Sequence, residues 1–144
     1  MIKISHRGNL NGSIKSQENN PEQIIKVLEK GYDCEIDVWY VNGEVVLAHS
    51  LKEDVNHTVN KDFLKKKGLW CHAKNLEALG YLKNLKVNYF WHEDDQITIT
   101  SKNWLWCHPS INNDTKIKDS IICLPEINKK KINLFSGFCS DYIE

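Results

Sequence analysis

Residues 20–40, NPEQIIKVLEKGYDCEIDVWY, decide the fold class. Asn20 followed by Pro21 and Glu22 is a helix start. Asparagine caps free N–H groups, proline suits the first helical position, and an acid complements the positive end of the helix dipole. The helix is expected to end near Gly31, with Ile24, Ile25 and Leu28 as its buried stripe. From Tyr32 the pattern becomes alternating. In Cys34-Glu35-Ile36-Asp37-Val38-Trp39 the two carboxylates fall on one face of a strand and Cys34, Ile36 and Val38 on the other. A strand-like run at Ile2–His6 precedes the helix. Strand, helix, strand predicts two parallel strands joined by a crossover.

Outward from this unit the same alternation returns. Gly68–Ala73 reads as a strand, about Asn75–Leu85 as a helix with Leu76, Leu79 and Leu82 inward, and Val87–His92 as the next strand. Glu44–His49, Gln96–Thr100, Trp104–His108, Ile121–Leu124 and Phe135–Ser140 are further short strands, and no other helix is expected beyond position 92. In Trp70-Cys71-His72-Ala73-Lys74 the histidine and lysine share one face, and Cys71 and Ala73 the other. Chemically capable side chains thus gather near the C-terminal ends of several strands, where a barrel would bring them to one mouth. The expected fold is α/β: a miniature or incomplete TIM-type barrel with short parallel strands and few helices, with residues 1–144 as a single domain.

The bulk numbers agree with a folded domain. A chain of 144 residues can bury a real core, and 41% hydrophobic with 26% charged residues is ordinary for a globular protein. Nineteen acidic residues balance 19 basic ones, so no basic excess marks a nucleic-acid-binding surface. The lysine runs at 65–67 and 129–131 read as solvated connections. Five cysteines without a CxxC pair suggest buried free thiols in a reducing compartment. A zinc site from Cys71, His72, Cys107 and His108 is the minor alternative, with spacing unlike the common zinc modules. No apolar run is long enough to span a membrane and no signal peptide precedes the first strand, so a cytoplasmic protein is expected.

One residue type is used once. Arg7 is the single arginine among 19 basic residues, and it stands in Ile4-Ser5-His6-Arg7-Gly8. A guanidinium grips two oxygens of a phosphate or carboxylate in a planar fork, which lysine cannot do. The triplet His6-Arg7-Gly8 therefore combines a proton-transfer group, an anion clamp and a permissive backbone.

Taken in order, His6-Arg7-Gly8, Glu18-Asn19-Asn20-Pro21-Glu22, Glu35-Ile36-Asp37-Val38 and Asn42-Gly43-Glu44-Val45-Val46-Leu47-Ala48-His49 resemble the glycerophosphodiester phosphodiesterase family. That family, of the phospholipase-C-like superfamily, shows an HRG motif, a Glu-Asn-x-Pro-Glu helix start, an E-x-D strand and an Asn/Asp-Gly hairpin leading to a second histidine. Gly137-Phe138-Cys139-Ser140-Asp141 also resembles its last barrel strand, as if a whole barrel had been shortened in the middle. The resemblance implies that His6 and His49 act as acid and base, imidazole titrating in the useful range. It implies that Arg7 holds non-bridging phosphate oxygens. Glu35 and Asp37 match ligands of one divalent cation, for which hard carboxylates suit Mg²⁺, Ca²⁺ or Mn²⁺. Glu18 is implied in an orienting role beside this cluster, or as a further ligand.

Two departures from the pattern carry information. Where the family has Glu-x-Lys, this chain has His72-Ala73-Lys74. His72 can still ligate, but the softer donor admits Zn²⁺ or Fe²⁺, while Lys74 keeps a phosphate-contacting role. The chain is also short for a barrel that takes about 250 residues. Beyond the matched motifs, Trp91, His92, Asp94 and Glu126 are candidate rim residues selecting the substrate's alcohol, Trp104 and Trp106 read as core, and His57 and His108 as surface or loop histidines. The expected activity is metal-dependent cleavage of a small phosphodiester, directly or through a cyclic phosphate. The alternative is a non-catalytic phosphate- or phosphodiester-binding module on the same fold. The residues name neither the alcohol, the metal nor the oligomeric state.

Overall fold

The computed structural model describes residues 1–52 and 55–144. Its elements in chain order are β1 (Ile2–His6), α1 (Pro21–Glu29), β2 (Asp33–Val41), β3 (Glu44–Leu47), β4 (His57–Val59), α2 (Lys61–Leu64), β5 (Leu69–Ala73), α3 (Leu76–Leu85), β6 (Tyr89–Phe90), β7 (Ile97–Ile99), β8 (Leu105–Cys107), β9 (Ser120–Cys123) and β10 (Gly137–Ser140), with one 3₁₀ turn at Ile132–Leu134. The fold is α/β, with few helices and one curled, ten-stranded sheet. Among the described residues no helix is long and apolar enough to cross a membrane.

Local chemistry explains the helices. The Asn20 side chain accepts from Glu22 N at 3.0 Å, Pro21 opens α1, and Gly31 ends it with φ 86°, a conformation glycine adopts freely. Asn60 and Asn75 cap α2 and α3 by accepting from Phe63 N and Ala78 N, both at 3.0 Å. Asn75 also exchanges hydrogen bonds with the backbone of Tyr40, tying α3 to β2. Two stripe assignments change. On α1 the fully buried residues are Ile24 and Val27, flanked by Ile25 and Leu28. On α3 the buried pair is Ala78 and Leu82, whereas Leu76 is 74% exposed. Leu76 lies about 200° around the helix from Ala78, so it cannot share that face.

The parallel expectation holds for only part of the sheet. Strand β2 pairs in parallel with β1 on one side and β5 on the other, β5 with β6, β1 with β10, β10 with β9, and β9 with β8. The β2–β3, β3–β4 and β7–β8 pairs are antiparallel, so the sheet is mixed. The reason is loop length. Asn42 and Gly43, both at positive φ, make a two-residue turn, and Thr100–Trp104 make a short one, and neither can hold a crossover. Strand β4, an additional antiparallel strand, brings His57 into the sheet opposite Leu47. Strand β6 meets the β7–β8 hairpin without a ladder. Ser101 N donates to Tyr89 O at 2.8 Å, and Thr98 Oγ1 donates to Trp91 O at 2.9 Å.

Alternation along the strands sorts the side chains into three packed groups. Between the sheet and the helices lie Cys34, Ile36, Val38, Leu47, Cys71 and Ala73 of the strands with Ile24, Val27 and Leu82 of the helices. Within the curl of the sheet lie Ile4, Trp70, Phe90, Trp106, Ile121 and Cys139, with Trp70 Nε1 donating to Asp33 Oδ2 at 2.8 Å. Outside β8–β10, Cys107, Ile111, Ile122 and Phe135 are covered by loops and the 3₁₀ turn. Gly137 lets β10 close against β1, since a Cβ there would stand 2.6 Å from Ile2 O and 2.9 Å from Ile121 Cδ1. All five cysteines are free, and four of them are buried.

Candidate active site

Above the apolar interior, at the C-terminal strand ends, the polar members of the same alternation converge. Strand β1 ends at His6 and turns sharply: Arg7 has φ 57° and Gly8 φ 95°. A non-glycine residue held left-handed beside a charged cluster stores backbone strain where it positions chemistry. Arg7 N donates to Glu35 O at 3.0 Å and Asn19 N to Arg7 O at 2.9 Å, which pins the turn between β2 and the loop before α1. The guanidinium faces two carboxylates: Nε lies 2.9 Å from Asp37 Oδ2 and Nη1 3.4 Å from Glu18 Oε2.

Glu35, Asp37 and His72 meet as the alternation requires. Asp37 and His72 are register partners on β2 and β5, and Glu35 is two residues before Asp37 on the same face. One ligand atom from each lies within 4.8 Å of the others, and all three side chains are buried. His72 Nδ1 is 3.5 Å from Asp37 Oδ1 and 3.7 Å from Glu35 Oε1, too long for good hydrogen bonds. Glu35 Oε2 and Asp37 Oδ1 are buried without a hydrogen-bond partner. Two orphaned carboxylate oxygens beside an imidazole are the donor set of a divalent cation, so these residues fit one. The four-residue zinc alternative is not assembled, because Cys71 and Cys107 face the two outer cores instead.

Electrostatics follow the same map. Burial disfavours the His72 imidazolium, but Asp37 and Glu35 outweigh it and raise its pKa to about 9. Burial would also raise the Asp37 carboxyl. His49, His72 and Arg7 overcome this and hold it well below the usual carboxylate range. Lys74 Nζ stands 3.9 Å from Asp37 Oδ1. Asn19, at φ 55°, donates Nδ2 to Asp37 Oδ2 at 3.0 Å and accepts from Asp37 N at 2.9 Å.

His6 and His49 stand on either side of this cluster. His6 Nδ1 is 2.8 Å from Asp141 Oδ1, just beyond β10. Burial works against a charged His6, yet the Asp141 bond and the Glu35 charge raise its pKa to about 9. Asn9 Nδ2 donates to the same Asp141 oxygen at 2.8 Å and to Glu18 Oε1 at 3.0 Å. His49 follows β3, held there because Trp39 Nε1 donates to Ala48 O at 2.9 Å. Its Nδ1 is 3.6 Å from Asp37 Oδ2, and its side chain is 48% exposed.

These groups open into a cavity of about 500 Å³ lined by His6, Arg7, Glu35, His49, His72 and Lys74 on one wall. Trp91, His92 and Asp94 line it as expected. The His92 ring stacks on His72 at 4.6 Å, and burial together with the charge of His72 lowers its pKa. Asp37 lies beneath the lining, 1% exposed. One assignment needs correction. Glu126 is no rim residue: it lies outside the lining, and Oε1 accepts from Asp141 N at 3.1 Å. Glu18 accepts from Arg7, Asn9 and Ser13, which suits an orienting role, and it is not among the three clustered candidate ligands. His108 is an exposed loop residue, as expected, and it also lines the cavity.

Asp141, Asn9 and Asn19 surround the cluster and were not singled out by sequence reasoning, whereas Trp106 is core, as expected, and touches the cavity from below. The Ser140-Asp141 pair in the last strand was the available signal for one of them. No family model, curated protein or solved structure matches the chain.

Proposed function

We propose that this chain is a metal-dependent phosphodiesterase of the glycerophosphodiester phosphodiesterase type, built on a shortened barrel. The observation that carries the reading is the pair of orphaned buried carboxylate oxygens on Glu35 and Asp37, set with His72 in a cavity that also holds two imidazoles, Arg7 and Lys74. Glu35, Asp37 and His72 would hold the divalent ion, which when bound polarises the phosphoryl group and neutralises its developing charge. Arg7 and Lys74 orient non-bridging oxygens of the phosphate. His6, protonated at neutral pH by its contact with Asp141, donates its proton to the departing alkoxide. His49, whose Nδ1 faces Asp37, uses Nε2 to accept the proton of the attacking hydroxyl, whether from water or from the substrate. Asp141 is a positioning residue that accepts from Nδ1 of the charged His6 ring and holds its angle.

A second reading, a binding module without turnover, draws on one observation: Asp37 and Glu18 already engage Arg7 at 2.9 and 3.4 Å. The test is hydrolysis of a generic aryl phosphodiester by metal-stripped protein with Mg²⁺, Ca²⁺, Mn²⁺ or Zn²⁺ restored, alongside His6→Ala. Metal-dependent turnover lost in the variant supports the enzyme. Phosphate or metal binding without turnover supports the module.

A further inference from the structure

The two walls of the cavity differ in chemistry. The ends of β1, β2, β3 and β5 carry every basic and metal-capable group described above, except the rim histidines. Farther along the sheet, β8 itself and the segments after β6, β8 and β9 contribute Trp91, Trp106, Pro109, Leu124 and Ile127 to the lining. The acids on this side are Glu93 and Asp94, which oppose a second phosphate or carboxylate. The Cys123 thiol, a weak hydrogen-bonding group, lies between the walls.

This apolar wall is prebuilt. Leu124 has φ 46°, an outlier for a bulky side chain, and is held there by its N–H donating to Cys139 O at 2.7 Å. The strained turn ends β9 abruptly and leaves Leu124 in the cavity lining. Ile127 N donates back to Leu124 O at 3.1 Å, and Ile127 stays 61% exposed at the mouth. Asn128 Nδ2 to Pro109 O at 2.9 Å and Lys130 Nζ to Ile111 O at 2.6 Å stitch the two mouth loops together. Backbone strain maintained beside a site, to display an apolar side chain to solvent, calls for a ligand surface that covers it.

We infer that this wall is the subsite for the esterified alcohol, and that the alcohol is an uncharged apolar group, aromatic or branched alkyl, rather than glycerol. The inference rests on the phosphodiester reading for the other wall. A polyhydroxylated arm lowered against Trp106, Pro109 and Leu124 would lose water there and find partners only at the flanking His92, Glu93, Asp94, His108 and Asn128, whereas a ring would replace water along the apolar side chains. Each buried methylene is worth roughly tenfold or more in such pockets.

Calorimetric titration of the full chain, metal-free and with Mn²⁺, uses inorganic phosphate, benzyl phosphate, glycerol 3-phosphate and phosphocholine. The expected result is benzyl phosphate binding at least about tenfold tighter than glycerol 3-phosphate. Ile127→Gln, a neutral change at an exposed position, should weaken benzyl phosphate about tenfold and leave inorganic phosphate unchanged. Leu124→Asn, with a residue that tolerates left-handed backbone, should do the same. Glycerol 3-phosphate or phosphocholine binding as tightly as benzyl phosphate, while inorganic phosphate still binds, overturns the apolar subsite alone. Absence of binding by all four, inorganic phosphate included, overturns the phosphate pocket and this inference with it.

Discussion

The side of the sheet under α1, α2 and α3 and the side outside β8–β10 are built by different means. Beneath the helices, β2 and β5 bury both faces: Cys34, Ile36, Val38, Cys71 and Ala73 pack outward, and Glu35, Asp37 and His72 face the cavity. Outside β8–β10, Ile111, Phe135 and the partly buried Leu134 close the core with loops and one 3₁₀ turn. The helix-covered half holds the ionisable groups in ladder register. The loop-covered half contributes apolar shape, Asp141 and the strained Leu124. Strands thus fix the separations of Glu35, Asp37 and His72, whereas Arg7, His49, Lys74, Leu124 and Asp141 stand in the irregular segments just beyond strand ends.

Removing a group from the helix-covered half without disturbing its scaffold gives the largest expected effect. His49→Ala should lower phosphodiester turnover by about 10²–10⁴-fold, with a stability change within about 0.5 kcal/mol, because the side chain is half exposed. Steady-state rates and urea unfolding on one preparation check both halves of this statement. Unchanged turnover removes the acid–base assignment.

The two carboxylates of β2 should then behave unequally. Asp37 is 1% exposed and surrounded by Arg7, His49, His72 and Lys74. Asp37→Asn leaves buried cations unpaired and should cost about 3–5 kcal/mol in metal-free protein. Glu35 has an unpartnered oxygen and only a long contact to His72, so Glu35→Gln should cost less than about 1 kcal/mol. Both should abolish stabilisation by added Mn²⁺, which a thermal melt reads directly. Equal costs would mean that Asp37 is no more deeply paired than Glu35.

Much of the helix-covered half was legible because its signals are local. Asn20-Pro21 and Asn75 cap helices, Asn42-Gly43 turns a hairpin, and period-two alternation puts Glu35, Asp37 and His72 on one face. The loop-covered half was not, for a physical reason. Asp141 reaches His6 across 135 residues, and Glu126 reaches Asp141 N through the register of β9 and β10, which no local pattern encodes. Leu124 shows no turn chemistry, since glycine or asparagine would ordinarily mark positive φ. Leu76 misled because a leucine at a helix start looks like the first rung of a stripe that in fact begins at Ala78.

Core truncations sharpen the contrast in packing. Leu82→Ala, at a position with no exposed surface under α3, should cost about 3–4 kcal/mol. Leu134→Ala, only partly buried in the 3₁₀ turn, should cost about 1 kcal/mol. Similar costs in urea unfolding would show that loops cover their core as firmly as helices do.

The contact joining the two halves, His6 with Asp141, should reveal itself in pH dependence. The folded pKa of His6, about 9, lies above the unfolded value of 6.5. The group therefore adds stability that is fully present below pH 6.5 and is lost as pH rises through about 9. At about 1.4 kcal/mol per pKa unit, the contribution is at most about 3–4 kcal/mol. His72, also raised to about 9, loses its proton in the same window, so the decline of the wild-type protein alone is not diagnostic. The difference between wild type and Asp141→Asn isolates the pair. In metal-free protein, their urea midpoints should be far apart at pH 6 and converge by pH 10, because the variant has already lost what alkali removes from the wild type. Midpoints separated by a constant amount across that range would show that Asp141 supports the fold by packing or through Asn9, and that the charge on His6 does not bind the two halves.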